Sequence, residues 1–286
     1  MKLITFLING NERIGIINRD NATVSDITDK FRDMNTLLES GCSPEELYSL
    51  QHDSSELKLD GLTLLAPIPR PRQDIICLGI NYMEHAAESA KFKKEAFDGK
   101  REYPVYFSKR VNEAVPDNGV SHCSDADDKI DYEAELGLII GRKCRSVSAA
   151  ESEKYIFGYT VINDLSARSL QNRHKQWYYG KSFDGSCPMG PWIVTADEIP
   201  YPPKLKIESR VNSEIRQSSD TGKLIFSPAY IIEDLSRSMT LLPGTIISTG
   251  TPAGAGMGFD PPRFLKKGDK VVCSIEKIGT LTTYIE

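Results

Sequence analysis

The chain has 286 residues, a formal net charge of −5 at neutral pH, 40% hydrophobic residues and 26% charged ones. This composition suits a folded chain large enough to bury its own core, and it excludes long disorder or a reliance on disulfides or structural metal for stability. A mildly acidic balance without clustered Lys and Arg also speaks against nucleic-acid binding.

Met1 to Asn9 has one lysine and a short apolar run, so it reads as a first strand rather than a signal-peptide core. Strands over Leu3–Ile8 and Arg13–Ile17 flank the turn signal Asn9-Gly10-Asn11. Residues 23–49 look helical in pieces, with Ser43 as an N-cap and Pro44 at the first helical position. Pro67, Pro69 and Pro71 cannot lie inside a helix or a central strand, which predicts a linker at about residues 66–73. The expected division is a small N-terminal α/β domain over 1–66 and a larger domain over 67–286.

Beyond the linker, short apolar runs rich in β-branched residues recur, bounded by Gly, Pro, Asn and Asp. They lie at residues 75–78, 105–107, 136–140, 159–162, 192–194, 205–211, 245–248, 270–275 and 281–285. Helices are expected only at about 82–97, 148–155 and 228–238. The fold class is therefore α+β and β-dominated, without the regular strand–helix alternation of a doubly wound sheet. No apolar run approaches the ~20 residues of a membrane span. Cys42, Cys77, Cys123, Cys144, Cys187 and Cys273 form no Cys-x-x-Cys pair. Their scatter fits neither a disulfide framework nor a zinc site, and reduced cysteines point to the cytosol.

Asp131-Tyr-Glu-Ala-Glu-Leu-Gly-Leu-Ile-Ile140 carries the strongest local signal. As a strand it places Tyr132, Ala134, Leu136, Leu138 and Ile140 on one face, with Asp131, Glu133 and Glu135 on the other. Carboxylates aligned in this way repel one another unless a positive charge offsets them, and a hard divalent cation suits oxygen ligands. The plainer alternative is an edge strand whose charged face meets water. Asp164 ends the run Gly158–Asn163 and is either a third carboxylate of that group or a helix N-cap. Arg168 and Gln171, three apart, share a helical face beside it, and Arg suits a substrate carboxylate. His85 and Glu88 stand at i and i+3 on the helix from residue 82. They are either a water-activating pair or a surface ion pair. The glycine-rich stretch Ser248–Gly258 lacks both a P-loop ending and a dinucleotide fingerprint, but such a loop can aim backbone N–H groups at an anion.

In their order along the chain these motifs resemble the fumarylacetoacetate hydrolase superfamily. The match rests on Gly79-x-Asn-Tyr-x-x-His85-x-x-Glu88, Asp131-Tyr-Glu-Ala-Glu-Leu, Gly158-Tyr-Thr-Val-x-Asn-Asp-Leu-Ser-Ala-Arg-x-Leu-Gln171, Gly180-Lys-Ser-Phe-Asp184 and Ser248-Thr-Gly-Thr-Pro-Ala-Gly254. The likeness spans about residues 62–286, and Leu170–Trp177 is similar to the bacterial acylpyruvate hydrolase and oxaloacetate decarboxylase branch. It implies a mixed β-roll catalytic domain, a small N-terminal domain, a homodimer and a Mg²⁺ or Mn²⁺ site. It also implies Glu133, Glu135 and Asp164 as metal ligands and His85 with Glu88 as the water-activating pair. Lys181 is then the enolate-stabilising cation, and Arg168, Gln171 and Thr251 are substrate contacts. Residues 91–129, with Lys109-Arg110 where a Lys-Pro pair is common, are expected to shape a lid.

The expected reaction is cleavage of a C–C bond in a 2-oxo acid through an enolate, either acylpyruvate-type hydrolysis or oxaloacetate decarboxylation. The alternatives are isomerisation or hydration of a dienol dicarboxylate and a catalytically silent binding protein. The expected partner is a small 2-oxo acid or dicarboxylate, with neither nucleic acid nor membrane involved.

Overall fold

The computed structural model of the chain describes residues 1–123, 127 and 129–286. Residues 124–126 and 128, part of the expected lid segment, lie outside the described set. Asn9 and Gly10 both take positive φ (51° and 77°), the conformation of a tight hairpin turn, and join strand Lys2–Ile8 to strand Asn11–Ile17. The helical reading of residues 23–49 fails at its start. Thr23–Asp26 is a strand between Asn11–Ile17 and Ser55–Lys58, where the β-branched Thr23 and Val24 find ladder partners. Helices follow at Met34–Ser40, capped by Asp33, and at Pro44–Asp53, where Ser43 and Glu46 form the reciprocal capping box.

Strand Lys2–Ile8 pairs antiparallel with Met189–Thr195, so the N-terminal strands extend the same mixed sheet that carries the rest of the chain. From Met189–Thr195 the sheet continues through Ile156–Asn163, Ala134–Ile140, Ile246–Ser248 and Ile75–Gly79 to the edge strand Val105–Lys109. Leu3, Ile14 and Leu37 share one core cluster with Ile139, Ile162 and Ile193. Around the expected linker, Ala66 and Ile68 are buried, and the Pro67 carbonyl accepts a hydrogen bond from Thr5 Oγ1 at 2.8 Å. The proline run is thus packed against the sheet.

A second, five-stranded sheet runs Glu214–Asp220, Lys206–Val211, Lys270–Ile275, Gly279–Ile285 and Gly119–Ser121. Its Ile207, Val271 and Leu281 share a core cluster with Leu136 and Val161 of the first sheet and Ile231 of helix Pro228–Ser238. The expected helix at 82–97 is Met83–Lys93 and stops at Lys94 in the left-handed region (φ 58°). The element at Ala149–Tyr155 is a 3₁₀ helix rather than an α-helix. All six cysteines are free, and no described helix is long and apolar enough to cross a membrane. The molecule is mixed α/β and strand-dominated.

Candidate active site

Register alone brings the three carboxylates together. Ala134 pairs with Asn163 and Glu135 with Ile162, so the start of one strand lies beside the end of its antiparallel neighbour. Glu133 and Asp164 are therefore adjacent, and Asp164 N donates to the Glu133 carbonyl at 2.9 Å. Carboxylate oxygens of Glu133, Glu135 and Asp164 all lie within 4.8 Å of one another, a grouping able to hold a metal ion. The strand is central and buried on both faces, so the water-facing edge-strand alternative does not hold. The apolar alternation is as expected, with Tyr132, Ala134, Leu136, Leu138 and Ile140 in one core cluster. Asp164 is not a helix cap: Ala167 precedes the first turn of helix Arg168–Arg173, and no side chain caps it.

Cations surround this group. Lys181 Nζ donates to Glu133 Oε2 (2.5 Å) and Asp164 Oδ2 (2.7 Å), and Lys109 Nζ lies 2.8 Å from Asp164 Oδ1. Arg168 donates to Glu133 Oε1 (2.5 Å), to Asp131 Oδ2 (2.9 Å) and to Gln171 Oε1 (2.9 Å). Burial pulls the Glu133 carboxyl pKa upward, but Arg168 and Lys181 outweigh it and hold that group well below the ordinary range. Glu135 goes the other way. Burial, reinforced by the charges of Asp164 and Glu133, pushes its pKa up to about 8. Asp131, Glu133, Glu135 and Asp164 stand against Lys109, Lys181 and Arg168, so one negative charge is left over when all are ionised, and Glu135 bears it.

The glycine-rich loop does aim N–H groups at anions, and those anions are the chain's own carboxylates. Gly250 N and Ser248 Oγ donate to Glu135 Oε2 (2.9 and 2.5 Å). Gly254 N donates to both oxygens of Glu88 (3.0 Å each), and Gly256 N and Met257 N donate to Asp131 (2.6 and 3.1 Å). The close approach requires glycine. A Cβ on Gly254, whose φ is +100°, would lie 1.9 Å from the Arg216 carbonyl oxygen.

Asp131, placed by sequence on the same face as Glu133 and Glu135, is thus spent on Arg168 and on this loop. Thr251 Oγ1 donates to the Ala134 carbonyl and accepts from Gln217 Nε2, tying the loop to the strand that carries Glu135.

His85 and Glu88 lie on helix Met83–Lys93, with Nδ1 3.6 Å from Glu88 Oε2. His85 is buried (4% exposed), which argues against a plain surface pair, and its Nδ1 has no hydrogen-bond partner among the described residues. A narrow cleft is lined by His85, Glu133, Glu135, Arg168, Gln171, Lys181 and Thr251, together with Lys93, Phe107 and Trp177. Of the residues singled out in the sequence, Glu88, Asp131 and Asp164 do not line it. Asp164 stands behind Lys181, and Glu88 is turned to the Gly254 amide.

Sequence reasoning missed two supporting side chains. Lys109 is fully buried at the end of strand Val105–Lys109, on the face it shares with Val105 and Phe107, donating to the carbonyls of Leu165 (3.0 Å) and Lys181 (2.5 Å). Gln217 accepts from Ala134 N and donates to Thr251 Oγ1 and the Pro252 carbonyl. Lys109 left a trace as a cation where the alternation calls for an apolar residue, whereas Gln217 left none.

Known proteins resemble this chain in sequence and in fold. Residues 74–286 match the family described as fumarylacetoacetate (FAA) hydrolase C-terminal. The oxaloacetate tautomerase YisK of Bacillus subtilis is 44% identical over 242 residues, covering 84% of this chain and 77% of that protein. A solved fumarylacetoacetate hydrolase from Exiguobacterium antarcticum superposes with a TM-score of 0.85 at 35% identity, over 100% of this chain and 99% of the other. A maleylpyruvate hydrolase from Sphingobium sp. SYK-6, solved with manganese(II) and pyruvate, gives 0.76 at 26% identity over 100% and 98%.

Proposed function

The chain belongs to the fumarylacetoacetate hydrolase family, and from that premise we propose that it is a divalent-metal-dependent enzyme cleaving a C–C bond in a small 2-oxo acid, by acylpyruvate-type hydrolysis or oxaloacetate decarboxylation. One observation carries the reading: Glu133, Glu135 and Asp164 converge, all buried, and the first two line a cleft whose wall presents His85 while Asp164 stands just behind. The donor set fits Mg²⁺ or Mn²⁺, being all oxygen with an unneutralised carboxylate, Glu135, among the three. Bound there, such an ion supplies Lewis acidity toward the adjoining oxygens of a 2-oxo acid. The related hydrolase solved with manganese(II) and pyruvate supports both the metal class and the substrate class.

The chain's own residues supply the rest. Lys181, its charge held firmly on by Asp164 and Glu133, adds positive potential where enolate charge develops. Arg168 and Gln171, joined by a hydrogen bond, orient the substrate carboxylate, and Thr251 positions it from the loop. In hydrolysis, His85 takes a proton from water on one ring nitrogen, with the Glu88 carboxylate 3.6 Å from Nδ1 favouring the imidazolium that forms. In decarboxylation no attacking water is needed, and the same pair only returns a proton to carbon.

A second reading, keto–enol tautomerisation, is favoured by the 44% identity to a protein named oxaloacetate tautomerase. It uses the same pair as proton carrier without breaking a bond between carbons. A product assay over oxaloacetate, acetylpyruvate and ring-cleavage products, run after chelation and again with Mg²⁺ or Mn²⁺, separates these readings. Turnover that needs added metal supports the proposal, and turnover indifferent to metal sinks it. Enol-to-keto conversion without carbon loss selects the second reading.

A further inference from the structure

Three cations line the cleft: Lys93, Arg168 and Lys181. Two of them are committed, Arg168 to Asp131 and Glu133, and Lys181 to Glu133 and Asp164. Lys93 is different. Among the described residues its ammonium makes no hydrogen bond or ion pair, and it stands half-buried over the ring of Trp177, 5.1 Å from the centroid. Trp177 is itself wedged in place, edge-on to Phe107 (centroids 5.3 Å apart), with the backbone of Gly79 so close that a Cβ there would lie 2.1 Å from the ring. Lys93 closes the last turn of the helix that carries His85, so it reaches the cleft from the wall, opposite the carboxylate floor.

Nearby charge sharpens the contrast. Burial, with Arg168 and Arg101 beside it, lowers the Lys93 pKa, and Glu95 alone pulls the other way. Arg101 Nε is also buried without a hydrogen-bond partner among the described residues. The floor's cations are thus each paired with carboxylates, whereas among the described residues the Lys93 ammonium on the wall has no carboxylate in hydrogen-bond or ion-pair contact. A partly desolvated cation is costly when left alone, and an incoming anion removes that cost.

Resting on the 2-oxo acid reading above, we propose that Lys93 is a specificity-determining residue that binds a second carboxylate at the far end of the substrate, so that the preferred 2-oxo acids are dicarboxylates. The Trp177 face holds the ammonium in position, and the carboxylate it meets completes a charge-assisted hydrogen bond at the wall.

Oxaloacetate and 2-oxobutyrate share a four-carbon 2-oxo acid chain and differ at its end, carboxylate against methyl. Trp177 lies beside the proposed contact, so stopped-flow tryptophan fluorescence with Mg²⁺ present reads binding without requiring turnover. In Lys93→Met, oxaloacetate is expected to bind about 10- to 100-fold more weakly, while 2-oxobutyrate stays within about twofold. Lys93→Arg, which keeps the charge, should retain most of the oxaloacetate affinity. Equal weakening of both ligands in Lys93→Met, or no weakening of either, overturns the inference and leaves the 2-oxo acid reading standing. If neither ligand binds the metal-loaded wild type, that reading fails and the inference falls with it.

Discussion

The floor and the wall of the cleft are built on opposite plans. Glu133, Glu135 and Asp164 sit on or beside central strands, and each is held in place: Glu133 by Arg168 and Lys181, Glu135 by Ser248 and Gly250, and Asp164 by a hydrogen bond from Lys181 and an ion pair with Lys109. The wall is one 11-residue helix, tied to the loop through the Glu88–Gly254 contact and carrying a buried His85 nitrogen with no hydrogen-bond partner among the described residues. The floor is rigid enough to fix a charged ligand set, and the wall keeps unspent groups, His85 and Lys93, for a molecule that comes and goes. Rigidity is placed where the metal reading needs it, and spare hydrogen-bonding capacity where the substrate reading needs it.

Substitutions should break the two regions differently. The largest effect is expected from Asp164→Ala, which removes a proposed ligand and strips a carboxylate from two buried lysines. Activity should fall by about 10³-fold or more, and stability by roughly 3–5 kcal/mol, read by denaturant titration. A variant that kept its activity would show that Asp164 is structural only.

Next, His85→Ala should leave the thermal midpoint nearly unchanged while lowering acylpyruvate hydrolysis by about 10²- to 10⁴-fold. Oxaloacetate decarboxylation should fall far less, and equal losses would count against the division of roles. Lys109→Met isolates the floor's support, because Lys109 does not line the cleft. Stability should drop by about 3 kcal/mol with a smaller change in activity. In Gly258→Ala the new Cβ would lie 2.6 Å from Glu88 Cδ and move that carboxylate, so hydrolysis should slow by roughly tenfold without loss of stability.

A pH slope probes the floor without any substitution. Glu135 holds its proton in the folded, metal-free protein up to about pH 8, against an ordinary value of 4.5, so the folded state binds more protons than the unfolded one across that window. Metal-free stability should therefore fall as pH rises through it, and added Mg²⁺ should flatten the slope. A melting series at several pH values, with and without metal, checks the sign.

Much of the floor was legible because strand alternation is local. Glu133 and Glu135 sit two apart, the apolar residues between and after them share a face, and Asp164 ends a strand that reads clearly. What holds the floor was not legible, since it depends on register between distant strands. Gln217 meets Ala134 across 83 residues, and Lys109 is enclosed by contacts with Leu165, Lys181 and Asp164, all far along the chain. The glycine loop showed its capacity for anions but not which ones, because no local rule says that the carboxylates come from Glu88, Asp131 and Glu135. At the N-terminus Thr23–Asp26 was misread as helical because four residues give no period, and its identity as a strand comes from its neighbours. The Pro67–Pro71 run signalled a break, but the pairing of Lys2–Ile8 with Met189–Thr195 lay beyond any local pattern.

The central claim is that the three buried carboxylates hold a divalent cation. Titrating Mn²⁺ calorimetrically into metal-stripped protein, wild type against Glu135→Gln, tests it most directly, because the substitution removes a proposed carboxylate ligand and nearly preserves its shape. One ion per chain bound by the wild type and none by the variant at the same concentrations is the predicted result. Equal binding by both proteins, or no binding by the wild type, would contradict the account.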